Sequence, residues 1–120
     1  MKTEIVFRIQ DEEGRGPWRP GFSKTWVEPR EDHEHLAPWN VEFGPVHKKA
    51  LWGASTGCGC RTIEQLQRWF TRSEYQTLLE HGYHAVKMDV GRILAESDIQ
   101  CVFSRAAPLS EDVIPFDLWE

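Results

Sequence analysis

The chain has 120 residues, with 14 Lys+Arg against 19 Asp+Glu and a formal net charge of −5 at pH 7. That length predicts a single domain spanning residues 1–120, large enough to bury a core without metals or disulfides. The acidic balance argues against a nucleic-acid coat protein and predicts no direct sequence-specific nucleic-acid binding. No apolar run approaches the ~20 residues of a membrane span, so no membrane partner is expected. Met1-Lys2-Thr3-Glu4 leads straight into a strand-like run and not into a signal-peptide pattern. The three cysteines, two of them at Cys58-x-Cys60, do not suit a secreted disulfide scaffold, and a cytoplasmic protein is expected.

Glu4–Gln10 alternates, with Ile5, Phe7 and Ile9 on one face and Val6, Arg8 and Gln10 on the other, the pattern of a half-buried strand. Asp11-Glu12-Glu13-Gly14 ends it in a polar turn. Between Asp11 and Gly57 fall five of the seven prolines and six of the nine glycines, a density that prevents long helices. The same stretch carries Trp18, Phe22, Trp26, Trp39, Phe43 and Trp52, too many aromatics for a disordered linker. It reads as a loop-rich region with short strands, pinned by buried rings.

Thr62-Ile63-Glu64-Gln65 and Ser73-Glu74-Tyr75-Gln76 both fit the capping box that opens a helix. The first helix would align Ile63, Leu66 and Phe70, with Trp69 at the border; the second would align Tyr75, Leu78 and Leu79 and stop at Gly82. Tyr83–Val90 then reads as a strand, Gly91–Ser97 as a connection with one helical turn around Ile93-Leu94-Ala95, and Asp98–Arg105 as a strand with Ile99, Cys101 and Phe103 inward. Phe116, Leu118 and Trp119 would dock the C-terminal piece. The predicted class is α+β: a small, mostly antiparallel sheet with a pair of short helices and a long loop-rich N-terminal half.

The negative charge is localised. Asp89 to Glu120 holds seven acids and two bases, which accounts for the whole excess. Such a field either solvates a tail or attracts a basic protein. Asp98, Glu111 and Asp112 are therefore candidate binding residues, with Trp18 and Trp39 as candidate interface anchors. Gly14-Arg15-Gly16-Pro17 lacks the strand and helix that frame a phosphate cradle, though Arg15 and Arg19 beside it have the chemistry to touch an anion.

Metal-ligating residue types occur at His33-Glu34-His35, Cys58-Gly59-Cys60 and His81 to His84, but not at the spacing of structural zinc sites, and no metal is expected. Cys58-Gly59-Cys60 reads as a tight turn into the Thr62 helix, where a thiol could be activated by the helix N-terminus. Arg8 is the residue that stands out. Mid-strand beside Val6, it either pairs with a carboxylate while its stem covers the sheet, or holds a phosphate or carboxylate bidentately.

Val6-Phe7-Arg8 on a first strand, a helical pair, Gly82-Tyr83 and Gln100-Cys101-Val102-Phe103 on a later strand resemble a small ADP-ribosyltransferase domain. That resemblance implies NAD as cofactor, with Arg8 holding it and Gln100 at the place of the family's catalytic glutamate. Ser23-Lys24-Thr25-Trp26 is a loose match to the middle motif. A glutamine does not stabilise a developing cation as a carboxylate does, and Glu42, Glu96 and Asp98 are candidates for the missing group.

Phe7-Arg8, Gly14-Arg15-Gly16-Pro17 and Glu64-Gln65-Leu66-Gln67-Arg68-Trp69-Phe70 are similar in style to small proteins of phages and prophages. This second resemblance implies an anti-CRISPR-like inhibitor in the host cytoplasm, without a cofactor. Its partner would be a host protein or ribonucleoprotein complex. Binding is thus the principal expectation, and NAD-dependent transfer the alternative.

Overall fold

The computed structural model describes residues 4–18, 21–28 and 36–119. In chain order the elements are β1 (Glu4–Gln10), α1 (Trp39–Phe43), β2 (Ser55–Gly59), α2 (Ile63–Trp69), α3 (Arg72–Glu80), β3 (His84–Val90), β4 (Arg92–Glu96), β5 (Cys101–Arg105) and β6 (Val113–Phe116). Single 3-10 turns stand at Ser23–Thr25 and Val46–Lys49. The class is α+β. Its antiparallel strands form two three-stranded sheets, ordered β1-β3-β6 and β2-β5-β4.

The two sheets are joined by a bridge between Phe7 and Cys60, whose backbone N–H groups donate to each other's carbonyls at 2.8 and 2.7 Å. Val6, Val86, Met88, Val90, Cys101 and Phe103 fill the space between the sheets. On the far side of the first sheet, Ile9 and Ala85 pack with Trp26, Leu66, Phe70, Tyr75, Leu78, Tyr83 and Leu118 beneath α2 and α3. On the far side of the second, Val102 and Leu94 are covered by Val46, Trp39 and Phe43 of the α1 segment. The order of layers is therefore helix pair, sheet, sheet, α1 segment.

This layering corrects several expectations. β1 was expected to be a half-buried strand, yet it carries buried residues on both faces: Ile9 and Phe7 pack under the helix pair, Ile5 is exposed, and the Val6, Arg8 and Gln10 face is fully buried. It faces the second sheet, which the alternation alone does not reveal. β5 is buried on both faces for the same reason. Arg92–Glu96, expected as a connection with a helical turn, is an edge strand whose register shifts between Ile93 and Ala95. That irregularity puts Ile93, Leu94 and Ala95 in succession and hides the period of two. Cys58-Gly59-Cys60 is extended, not a tight turn. Among the described residues, the stretch from Asp11 to Ala54 contains no strand, only turns and α1. Its rings are not uniformly buried: Trp26 is buried, Trp18 is 46% exposed and Trp52 stands wholly in solvent.

Both helices begin on a capping box, but the second lies two residues earlier than expected. Thr62 Oγ1 accepts from Gln65 N while the Gln65 side chain accepts from Thr62 N, as predicted. In α3 the pair is Thr71 and Glu74, not Ser73 and Gln76. Gly82 follows the helix at φ 84°, the left-handed stop expected there.

Candidate functional site

Arg8 is 6% exposed and lies between the two sheets. Its Nη1 donates to Cys58 O at 3.0 Å and its Nη2 to Gly14 O at 3.0 Å, while Nε has no partner. β2 makes room for it by presenting glycines. A Cβ on Gly57 would stand 2.5 Å from Arg8 Nη1 and 2.9 Å from Phe103 Cζ, and one on Gly59 would meet Phe7 O at 2.8 Å. Burial lowers the Arg8 pKa, opposed by the nearby Cys58 and Asp11, but a guanidinium remains charged at neutral pH. A buried cation whose Nη atoms both donate to main-chain carbonyls ties the 11–15 turn to β2.

Gln100, 5% exposed, serves a different junction. Its Nε2 donates to Ala37 O at 2.6 Å and to Glu42 Oε1 at 2.9 Å, and Ser97 Oγ donates to the same Glu42 oxygen at 2.9 Å. It clasps α1 to the start of β5. Arg8 and Gln100 share no hydrogen-bond partner, and Glu42 is engaged by Gln100 itself. Glu96 accepts from Arg61, which also pairs with Glu4. Ser23–Thr25 forms the first 3-10 turn.

The remaining candidates are dispersed. Arg15 is exposed and paired to Asp11, whose Oδ1 accepts from the Glu13 and Arg15 N–H groups and whose Oδ2 accepts from Arg15 Nε at 2.8 Å. Partial burial would raise the Asp11 carboxyl; these hydrogen bonds outweigh it and hold the carboxyl below its usual range. Trp18 stacks edge-on against Trp26 and Trp69. Trp39 is half-buried against His47. Arg19, like the His33-Glu34-His35 motif, lies outside the described residues. Asp98 precedes β5, whereas Glu111 and Asp112 follow it, so the acids flank opposite ends of a strand about 13 Å long. Glu111 O accepts from Arg105 Nη1 at 2.9 Å, and its exposed carboxylate has no ion-pair partner among the described residues.

One cleft of about 340 Å³ opens across the Gln10–His84 end of the first sheet. Gln10, Asp11, Glu12, His84 and Ser110 form its polar lining, and Val86, Val113 and Pro115 its apolar wall. The sequence offered His84 only as a metal-type residue and did not join it to Gln10 or Glu12. The alternation of β1 did place Gln10 beside Arg8, the only signal available, but the cleft needs β3 and β6 alongside.

No group of three or more His, Cys, Asp or Glu side chains is disposed to hold a metal among the described residues. The cysteines are free and their thiols are not activated. Burial pushes all three upward, Cys101 to about 12 and Cys60 beyond that, with Arg8 only partly opposing the rise at Cys58. Thiolate is the reactive form, so the folded protein is expected to leave Ellman's reagent almost untouched at pH 8 and to react in full once unfolded in urea. Rapid reaction of a thiol in the native protein would contradict this packing.

The sequence profile of the family described as bacteriophage T4 Y00F protein matches residues 1–117. The chain belongs to this family. No curated protein and no solved structure matches it. It is thus a small phage-type protein, and no helix among its described residues is long and apolar enough to cross a membrane.

Proposed function

We propose that this phage-family protein is a binding inhibitor that occupies a basic surface of a host protein or ribonucleoprotein complex, in the manner of an anti-CRISPR blocker. One observation carries the reading. Asp89, Asp98, Glu111, Asp112 and Asp117 are all exposed, and none has an ion-pair partner among the described residues. Charges left uncompensated on a folded surface steer an oppositely charged partner and set its register.

Three of them gather. Asp89 and Asp112 stand one step beyond Met88 and Val113, the last pair of the β3–β6 ladder, and Glu111 adjoins them. Trp52, fully exposed beside the exposed Leu51, supplies an apolar anchor of the kind that dominates interfaces.

The test is capture from host lysate by tagged protein, with the nucleic-acid activity of any captured complex assayed. Wild type should retain one stoichiometric partner at low salt and block its activity. Neutralising Asp89→Asn, Glu111→Gln and Asp112→Asn together should weaken capture by about tenfold or more. Capture insensitive to both salt and neutralisation would overturn the reading.

A further inference from the structure

We propose that the cleft at the Gln10–His84 end of the first sheet is a receptor for a guanidinium group, an arginine side chain of the bound partner. This rests on the basic-partner reading and gives it an atomic site. At about 340 Å³ the cleft lies at the low end of ligand pockets, suited to one extended side chain. Its depth, walls and mouth each match a different part of arginine.

At depth stands Gln10, 3% exposed. Its Nε2 donates to Leu109 O at 2.8 Å, which fixes which way the amide faces, and its Oε1 is buried without a hydrogen bond. A buried acceptor without a donor is costly and rare. A ligand that brings N–H groups removes that cost. The walls, Val86, Val113 and Pro115, are apolar, as the methylene stem of a long basic side chain requires. At the mouth, Glu12 is exposed and has no ion-pair partner among the described residues. Asp11 lies beside it but already accepts from Arg15. The cleft therefore offers one carboxylate without an ion pair among the described residues and one buried amide acceptor, with Ser110 and His84 also in its lining, and no Lys or Arg lines it.

A metal ion does not fit, because no three ligating side chains among the described residues converge. Between the two basic side chains, guanidinium suits better than ammonium. Its planar fork reaches a carbonyl and a carboxylate at once, and its weaker hydration lets it enter a partly apolar cleft.

The experiment uses the full chain, labelled for amide NMR and titrated with N-acetyl-arginine amide, its uncharged analogue N-acetyl-citrulline amide, and N-acetyl-lysine amide. Arginine should shift the Gln10 side-chain amide and the Glu12 and Val113 backbone amides saturably, more tightly than lysine and much more tightly than citrulline. Glu12→Gln, a surface change, should weaken the arginine probe by about threefold, and Glu12→Lys should abolish it. Absent shifts, or equal response to citrulline, would overturn the site. If arginine binds but Glu12→Lys leaves host capture intact while the Asp89/Glu111/Asp112 neutralisation removes it, the basic-partner reading stands and this assignment of the cleft to the partner fails. If arginine binds as expected and no host partner is ever captured, the guanidinium site stands and the inhibitor reading fails.

Discussion

Arg8→Ala is expected to lower the unfolding free energy by about 3–5 kcal/mol, through two lost charge-assisted hydrogen bonds and the void left behind. Two carbonyls, Cys58 O and Gly14 O, would lose charge-assisted donors worth about 1.5–3 kcal/mol each, in a place closed to water. A void would also open between the sheets, opposite glycines that have no side chain to fill it. Arg8→Lys should recover only part of the loss, since one ammonium on a flexible stem does not reproduce a fork that spans two carbonyls. Urea unfolding followed by tryptophan fluorescence measures both. An Arg8 kept for a cofactor would behave differently: its removal would leave stability almost unchanged and abolish nucleotide binding. A loss under about 1 kcal/mol would therefore refute the structural role. Gly57→Ala tests the same packing from the other side, because its Cβ would be driven against Arg8 Nη1 and Phe103 Cζ.

The second large effect is expected at Glu74. This carboxylate is fully buried, accepting from Thr71 N at 2.9 Å and from Glu28 N at 2.9 Å. Glu28 answers by accepting from Thr71 Oγ1 and Ser73 Oγ. One buried side chain thus starts α3 and fastens the distant segment at Glu28 to it. Glu74→Ala should cost about 3 kcal/mol, because two part-buried N–H groups lose their acceptor. Thr71→Ala, which removes the cap hydroxyl, should cost about 1–2 kcal/mol. Gln76→Ala should cost almost nothing, since Gln76 is exposed and outside the box. A Gln76 effect as large as that of Thr71 would restore the register expected from sequence.

That contrast shows where local signals suffice. Thr62 and Gln65 specify their helix start through bonds made within four residues, so the pattern of residue types is the structure. At α3 two overlapping boxes fit the same stretch, Thr71 to Glu74 and Ser73 to Gln76. The decision comes from Glu28, distant in sequence, whose N–H needs the Glu74 carboxylate. β4 failed for a related reason: its register shift is imposed by pairing to β5, and pairing leaves no trace in the alternation of Ile93-Leu94-Ala95.

The candidate site divides along the same line. Arg8 was conspicuous in the sequence because a cation mid-strand must be satisfied somehow, but its partners, Gly14 O and Cys58 O, are backbone atoms with no sequence signature. Gln100 was visible only through a family resemblance, and it holds α1 in place.

By itself the sequence determined the α+β class, the β1 strand, the helix pair with its first cap and its glycine stop, and the concentration of acid in the last quarter. These follow from propensity, capping and charge, which act over a few residues. Only the tertiary structure decided that two sheets face each other, that Arg8 is sealed between them, and that Gln10, Glu12 and Val113 border one cleft. Those facts depend on which face of a strand meets which neighbour, and a side-chain period of two offers both faces equally until the partner is in place.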